Sequence, residues 1–331
     1  MTDQANKESR AGDYSPAAGD QDLAMERGAW ISRWRIPRFL RRLLPSFAIR
    51  ALHELKGKSI ARDFPRDIEF EQSPDDRQAS ASMSIVVPIH DAPEITRRCL
   101  ASLEKYAPES EVILVDDGSK LDETLELIHQ FSGNNGWKVV RHQKSLGHSE
   151  ACAAGAAVAT RLYLCLLNSD TVATPWCWRR IAEVFEHDPT IAIAGPSTSV
   201  ASTSQVLTLA ANQGSYWNDN QICAFAERLL TQFQQPAVLD LPWVSGFAFF
   251  IRRSVWEQFG GFDPKIPDYG NEFELCSRVA EKGYRMVWVR DAYIHHFGGQ
   301  SYAGMIGEEG IRARVQAADT YIKHKRGSPT P

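Results

Sequence analysis

Two short segments of the chain place carboxylates directly after apolar runs. Residues 112–119 read Val-Ile-Leu-Val-Asp-Asp-Gly-Ser, and residues 163–171 read Tyr-Leu-Cys-Leu-Leu-Asn-Ser-Asp-Thr. A third run, Ser-Ile-Val-Val-Pro-Ile-His-Asp at 84–91, precedes both. An apolar run that stops at carboxylates is typical of a buried parallel strand, which delivers polar groups to a ligand crevice at its C-terminal end. The pattern predicts a nucleotide-type site.

Alternating strands and helices are needed to bring such strand ends together. The apolar runs predict strands at 85–89, 112–115, near 139, 162–167, 191–194, 243–251 and 285–289. Helical patterns lie between them, at 95–106, 121–131, 149–160, 175–187, 221–233, 254–259 and 272–282. This alternation predicts an α/β protein with a parallel sheet that helices cover on both faces.

Composition agrees with a globular domain. The chain has 331 residues, is 43% hydrophobic and carries a net charge of -4, which suffices for one large core or a core plus an appendage. Its six cysteines form no C-x-x-C pair, so we expect neither a metal cluster nor a disulfide framework, and a reducing cytoplasm fits best. We expect no membrane-spanning segment, because no apolar stretch is long enough, and no signal peptide, because the N-terminus begins with polar residues.

Changes in amino-acid composition divide the chain into five parts. We expect a disordered tail at 1–28, a basic amphipathic extension at 29–62, a polar linker at 63–82, the main domain at 83–302 and a helical tail at 303–331. Within 29–58, arginines alternate with Trp and Phe, which suits an anionic membrane surface at the cytoplasmic face. The alternative is a basic helix that packs on the catalytic domain or on a partner. Nucleic acid is not expected, because the rest of the chain is acidic.

Six motifs in order resemble glycosyltransferase family 2. They are the segments at 84–91, 115–119 and 167–171, Gly-Gly-Phe-Asp at 260–263, Asn-Glu-Phe-Glu-Leu-Cys-Ser-Arg at 271–278 and His-Phe-Gly-Gly-Gln-Ser at 296–301. The resemblance implies a GT-A fold with a Rossmann-like, mostly parallel sheet, a single catalytic domain and inversion at the anomeric carbon. Within the family the motifs look most similar to bacterial transferases that build surface polysaccharides, including rhamnosyltransferases.

The resemblance also implies a divalent cation, Mn²⁺ or Mg²⁺. Such a cation stabilises the charge that a departing diphosphate leaves. Asp170 resembles the last carboxylate of the family's D-x-D element, although an acid there also suits the cap of the following helix. His296 falls on the family's second ligand, with His295 as the alternative. Asn168 replaces the first acid of D-x-D and, with Ser169, is expected to bind the nucleotide sugar.

A pyrimidine base is the second implication. Asp116 resembles the carboxylate that accepts the N3 hydrogen of uracil or thymine, so the expected donor is a UDP- or dTDP-sugar. Pro88 and His90 line the base pocket in this interpretation, with His90 as a stacking surface in place of a Tyr. Asp117 either binds the nucleotide or is a turn residue before Gly118.

Inversion by direct displacement requires one general base. Glu272 falls on the second position of the family's Glu-Asp-like motif and is the candidate, with Glu274 as the alternative; an acid in the first turn of a helix is also favoured by the helix dipole. The expected sugar pocket comprises Trp243, Gly246, Glu274 and Arg278, where Arg278 pairs with either carboxylate or with a phosphate. Trp243 equally suits a buried core position.

The expected function is transfer of a sugar to a hydroxyl of a glycan or lipid-linked acceptor in polysaccharide biosynthesis. Two alternatives stay open. A sugar nucleotidyltransferase uses similar strand ends, but the chain lacks a basic Gly-rich loop after its first strand. A catalytically weak scaffold that binds a nucleotide or glycan is the other, because Asn168 and Asn271 stand where the family has acids.

Overall fold

The computed structural model describes residues 70, 72–214, 217–233, 236–298 and 303–325. The expected disordered tail and basic extension lie outside the described residues. The strands are β1 (Met83–Ile89), β2 (Glu111–Asp117), β3 (Lys138–His142), β4 (Tyr163–Leu167), β5 (Thr171–Val172), β6 (Ile191–Ser197), β7 (Val238–Asp240), β8 (Ala248–Arg252), β9 (Arg285–Tyr293) and β10 (His295–His296). The helices are α1 (Pro74–Ser80), α2 (Pro93–Tyr106), α3 (Asp122–Asn135), α4 (His148–Ala157), α5 (Cys177–His187), α6 (Thr208–Gln213), α7 (Asp219–Thr231), α8 (Arg253–Phe259), α9 (Asn271–Ala280) and α10 (Ala303–Lys325).

Eight strands form one sheet in the order β3-β2-β1-β4-β8-β6-β9-β7. The pairs β3-β2, β2-β1, β1-β4 and β6-β9 are parallel, whereas β8 and β7 run antiparallel to their neighbours. A separate two-stranded antiparallel ribbon pairs β5 with β10. The predicted α/β class with a mostly parallel central sheet is therefore confirmed.

Side chains of β1 alternate between two apolar layers. Ile85, Val87 and Ile89 belong to the core under α2, α3 and α5, whereas Val86 faces the core under α4, α8 and α9. A strand buried on both faces needs a nearly continuous apolar run, which residues 85–89 supply. This packing brings the C-terminal ends of β1, β2 and β4 to one edge.

Helix α4 lies close to the sheet because its sequence is rich in small residues. A Cβ at Gly155 would overlap the side chain of Val86 and approach Val115 Cγ2 to 2.9 Å. Glycine at this position allows the close approach, which sets the N-terminus of α4 beside the strand ends.

Two local predictions differ from the structure. The segment expected to be a linker contains α1, which begins with a capping box between Ser73 and Asp76. Asp76 is buried and pairs with Arg179 of α5 at 2.7 Å, so this polar helix packs through an ion pair that composition does not reveal. The strand expected from Trp243 begins only at Ala248, because the preceding residues form a loop across α9.

None of the described helices is long and apolar enough to cross a membrane.

Candidate active site

Asp170 and His296 face each other at the end of β4. Phe297 N donates a hydrogen bond to Asp170 O at 3.0 Å, and the β5–β10 ribbon sets His296 opposite Thr171. The Nε2 atom of His296 lies 3.2 Å from Oδ1 of Asp170, and both side chains are largely buried. The structure thus brings together the two residues for which the resemblance implied metal binding.

The orientation of His296 is fixed from its other side. Its Nδ1 lies 2.7 Å from the carbonyl oxygen of Val200, to which it donates, and its ring stacks on Phe247 with centroids 5.4 Å apart. This leaves Nε2 as the nitrogen that faces Asp170. Burial lowers the pKa of His296, but the hydrogen bond and charge of Asp170 outweigh it and raise the pKa above its ordinary value.

This donor set fits a divalent cation. A carboxylate and an imidazole nitrogen that face each other, with the second ring nitrogen anchored on a carbonyl, are ligands that Mn²⁺ accepts. Within the described ranges, no group of three His, Cys, Asp or Glu side chains stands ready to hold a metal. A cation held by two side chains must complete its coordination with water and substrate phosphate oxygens, as Mg²⁺ does in phosphate-handling enzymes.

His295, the alternative ligand, points away from Asp170. It is fully buried, its Nδ1 lies 2.8 Å from the hydroxyl of Tyr293, and its ring packs near Trp217. Burial lowers the pKa of His295 to about 3. Neighbouring strand residues point to opposite faces, so only one of the two histidines can reach Asp170.

Glu272 lies in a recess against Gly246. The side chain is half-buried at the start of α9, and a Cβ at position 246 would overlap its carboxylate. Burial raises the pKa of Glu272 to about 7, partly opposed by hydrogen bonds with backbone groups of Glu272, Gly246 and Gly270. In the part of the chain that the structure describes, no Lys or Arg ion-pairs with this carboxylate. A carboxyl group in this state can accept a proton near neutral pH.

Trp243 packs on α9, the helix that carries Glu272. Its half-buried ring packs edge-to-face on Phe273 of α9, with centroids 6.1 Å apart. Gly246 thus adjoins the Glu272 carboxylate, and Trp243 contacts the next residue of the same helix.

Glu274 and Arg278 require a correction, because the structure does not place them in that recess. Arg278 Nη2 lies 2.8 Å from Glu274, and the same guanidinium donates to the carbonyl oxygens of Phe259 and Gly261. Lys325 of α10 adds a second cation 2.7 Å from Glu274. Both side chains thus belong to a cluster of ion pairs that joins α9 to α10. The two cations compensate the charge of the Glu274 carboxylate.

Asp116 is buried at the end of β2. Its Oδ1 accepts a hydrogen bond from Ser119 N at 2.8 Å, and Oδ2 lies 3.1 Å from Arg141 Nε. Arg141 itself is about half exposed, with 55% of its side chain accessible. It lies near the end of β3 in parallel register with Asp116, and sequence inspection missed it because single charges in an edge strand carry no signal.

Asp117 organises a loop. Its two oxygens accept from Ser145 Oγ, Leu146 N and Gly147 N and contact His142 Nδ1, at 2.7 to 3.0 Å. Burial raises the pKa of Asp117, but these hydrogen bonds outweigh it and the pKa is lowered. Four bonds fill the acceptor capacity of a carboxylate, so the prediction that Asp117 binds the nucleotide is corrected to a role in holding the loop before α4.

The end of β1 supplies the other side of the expected base pocket. Pro88 and His90 are half-buried, and His90 Nδ1 lies 2.7 Å from Asp117 O. Asp91 follows with φ of +54°, and its carboxylate accepts from Lys120 N and Leu121 N, both at 2.9 Å. Sequence inspection did not single out Asp91, which joins the two strand ends.

Asn168 and Ser169 lie between β4 and Asp170. Asn168 is half-buried and its backbone N donates to Phe247 O at 2.9 Å, while Ser169 is buried. The strand-end residues selected from the sequence thus meet at one edge of the sheet.

Comparison with known proteins shows the protein family to which this chain belongs. The family model described as "Glycosyl transferase family 2" matches residues 84–258, more than half of the chain. The chain belongs to glycosyltransferase family 2.

Individual curated relatives match this chain at low sequence identity and over part of its length. The poly-beta-1,6-N-acetyl-D-glucosamine synthase of Staphylococcus epidermidis is 26% identical over 133 residues, which is 40% of this chain and 32% of that protein. The synthase of the same name from Staphylococcus aureus strain COL is 29% identical over 99 residues, 30% of this chain and 24% of that protein. The match thus spans about a third or less of the length of these curated relatives.

A solved structure shares the fold. It is the crystal structure of GalNAc-T7 with UDP, GalNAc and Mn²⁺, with a TM-score of 0.51 and 20% sequence identity over 65% of this chain and 43% of that one. This likeness supports the GT-A fold.

Proposed function

We propose that the protein is a metal-dependent, inverting glycosyltransferase that moves a sugar from a UDP- or dTDP-sugar to a hydroxyl of a glycan or lipid-linked acceptor in polysaccharide biosynthesis. The observation that carries the proposal is the Asp170–His296 pair, built across two distant segments at the end of a parallel strand. Family membership supports the reaction class, and the named synthases that resemble the chain support polysaccharide biosynthesis.

In this proposal Asp170 and His296 hold the divalent cation. The cation, when bound, stabilises the negative charge of the departing diphosphate. Asn168 and Ser169 bind the donor beside it, and Asp116 accepts the N3 hydrogen of the pyrimidine.

Glu272 is the proposed base. It takes the proton from the acceptor hydroxyl while the bond from that oxygen to the anomeric carbon forms and the bond from the carbon to the diphosphate oxygen breaks. A single displacement from the opposite face inverts the centre. The pKa of about 7 suits this task, because a base works best when its pKa is near the operating pH.

A nucleotide-sugar turnover assay tests the function. Purified protein is offered a panel of UDP-, dTDP- and GDP-sugars with and without Mn²⁺, and release of the nucleoside diphosphate is measured. We expect release from a UDP- or dTDP-sugar only when Mn²⁺ is present. Nucleotide binding without turnover would favour the scaffold, and formation of a nucleotide sugar from a nucleoside triphosphate and a sugar phosphate would favour the nucleotidyltransferase.

Replacement of Asp116 tests the pyrimidine site. Asp116→Ala should weaken UDP or dTDP binding by about 1.5–3 kcal/mol, the range for a hydrogen bond to a charged group. Calorimetry measures this, with Glu126→Ala on the exposed surface of α3 as control. Tighter binding of GDP than of UDP and dTDP by the unaltered protein would contradict the assignment.

We also propose that residues 29–58 bind an anionic membrane surface, at the cytoplasmic face. The support is sequence pattern alone, since this segment lies outside the described residues. Each cation near such a surface contributes about 1 kcal/mol. Replacing Arg33, Arg38, Arg41 and Arg42 with Glu in the full-length protein should abolish co-sedimentation with phosphatidylserine liposomes, whereas Lys at these positions should preserve it. Equal sedimentation of the Glu and Lys variants would refute membrane binding.

A further inference from the structure

Helix α4 begins beside the strand ends without a cap from its own sequence. Its N-cap residue is Gly147, which has no side chain to bond the first turn. The first N–H groups of an α-helix have no acceptor within the helix, so they need partners elsewhere. Gly147 N donates to Asp117 Oδ2 at 3.0 Å. The acceptors for His148 N and Ser149 N come instead from a segment far along the chain.

That segment is 266–271, which leads into α9, the helix that carries the proposed base. Ser149 N donates to Pro267 O at 2.8 Å, and His148 N donates to Asp268 Oδ1 at 3.3 Å. The approach is close, because a Cβ on the glycine before α4 would lie 3.1 Å from both Cβ and O of Pro267. The start of α4 is therefore capped by the segment that ends at the first residue of α9.

The buried side chain of Ser149 strengthens this connection. Its Oγ lies 2.5 Å from Ile266 O and 2.9 Å from Asn271 Nδ2. A carbonyl oxygen can only accept, so the hydroxyl donates its single hydrogen to Ile266 and accepts from the amide of Asn271. The three hydrogen bonds of Ser149, to residues 266, 267 and 271, are named the Ser149 link. They hold both ends of the segment 266–271 to α4.

The ring of His148 contacts the same place. Asn271 Nδ2 lies 3.3 Å from its Nδ1, and Cys152 Sγ lies 3.8 Å from Nδ1 and 3.6 Å from Nε2. An amide has two N–H donors, so Asn271 can serve both the ring and the hydroxyl of Ser149. The contact with the hydroxyl is the shorter of the two, and Ser149 is the residue of α4 that bonds both ends of the segment.

Helix α10 contacts the segment 266–271 as well. Arg314 of α10 forms an ion pair with Oδ2 of Asp268. A Cβ added at Gly270 would lie 3.5 Å from Ala318 Cβ and 3.6 Å from Ile322 Cδ1, both on α10. The segment before the proposed base is therefore bonded to α4 and packed against α10.

We propose that Ser149 is a positioning residue, which links the segment 266–271 to α4 and thereby sets the place of the Glu272 carboxylate relative to the nucleotide site. This inference rests on the proposed function. The nucleotide end of the connection is Asp117, whose carboxylate bonds the loop at 145–147 that leads into α4. A reacting group misplaced by about 1 Å can cost on the order of 10²-fold in rate, so this connection matters for transfer.

The arrangement also accounts for the amide at position 271. The hydrogen of the Ser149 hydroxyl is committed to Ile266 O, so its second partner must donate. A carboxylate at position 271 has no hydrogen for this bond, whereas Asn271 Nδ2 supplies one. The Ser149 link therefore requires an amide where family members carry an acid.

Hydrogen–deuterium exchange of the full-length protein, measured by mass spectrometry, tests the Ser149 link. Ser149→Ala removes both side-chain hydrogen bonds and keeps a good helix former in α4. We expect the amides of residues 266–276 to exchange about threefold to tenfold faster, the range for one neutral hydrogen bond. Unchanged exchange in this segment would overturn the proposal. The measurement needs no turnover, so it does not depend on the proposed function.

Steady-state kinetics tests the positioning role. Ser149→Ala should lower kcat about tenfold or more, while KM for the donor and UDP affinity in calorimetry stay within about twofold, because the base is displaced and the nucleotide contacts remain. Asn271→Ala removes the donor on the other side of the hydroxyl and should show the same split. The double variant should lose clearly less than the product of the two losses, because both changes break one connection.

Ser84→Ala is the matched control. Ser84 is equally buried, and its Oγ likewise donates once, to Glu111, and accepts once, from Arg161 N. It lies at the start of β1, at the opposite end of that strand from the candidate site. This variant should lower the melting temperature and leave both kcat and the exchange of residues 266–276 unchanged.

The outcomes separate this inference from the proposed function. Normal kcat in Ser149→Ala would overturn the positioning role, and so would a loss of UDP affinity as large as the loss of kcat, since the residue would then shape the nucleotide site. If the unaltered protein binds UDP but turns over no nucleotide sugar, the proposed function fails and the positioning role fails with it. The exchange measurement would still show whether the Ser149 link exists.

Discussion

Glu272→Gln should lose sugar transfer by about a hundredfold or more while UDP binding stays within about twofold, since general-base catalysis contributes about 10²–10⁴ and the amide is nearly isosteric. The matched control is Glu274→Gln, two residues along the same helix. Its carboxylate is paired with Arg278 and Lys325, so that variant should lower the melting temperature and leave transfer per folded molecule much less affected. The opposite ranking would make Glu274 the base.

The pH dependence of the unaltered enzyme checks the same assignment. A base must be deprotonated to act, so kcat should rise with pH and level off above about 7, the pKa to which burial raises Glu272. The native state also holds this proton where the unfolded chain, with a pKa near 4.5, has lost it. The free energy of unfolding should therefore fall as pH rises between these values, and Glu272→Gln should remove that contribution.

Asp170→Ala should reduce Mn²⁺-dependent transfer by about a hundredfold or more, because charge stabilisation by the cation is worth several kcal/mol and each 1.36 kcal/mol is tenfold in rate. His296→Ala should act in the same direction, with the exposed His187→Ala as control. Electron paramagnetic resonance of Mn²⁺ in the presence of UDP measures the cation directly. Undiminished turnover, or unchanged Mn²⁺ binding, in Asp170→Ala would remove Asp170 from the metal site.

Much of the sheet could be predicted because the burial of a strand is reflected in its local sequence. The run at 85–89 is apolar without interruption, and the carboxylates that follow such runs at 116 and 170 lie where parallel strands end. The pairing of Asp170 with His296 was reached only through family resemblance, since no local pattern links residues so distant in the chain.

The failures have a common physical cause. From the sequence, Glu274 and Arg278 look like pocket residues. In the structure, Lys325 of the C-terminal helix α10 forms an ion pair with the Glu274 carboxylate. Asp117 suits a ligand as well as a turn residue until His142 and three groups of the loop at 145–147 are seen to contact its carboxylate. The helix at 74–80 is polar, and the Arg179 partner that holds it belongs to another element. The partners of polar side chains depend on the tertiary structure, which the periodicity of apolar residues along the sequence does not reveal.

The ribbon between β5 and β10 has a consequence for how the protein matures. Asp170 belongs to the middle of the chain, whereas His296 lies in β10, which follows β9 along the chain and pairs with β5. Contacts between distant segments close large loops and form slowly. A chain still emerging from the ribosome therefore presents Asp170 without its partner. With the proposed metal site, Mn²⁺ affinity should appear late in refolding and report completed assembly in a stopped-flow experiment.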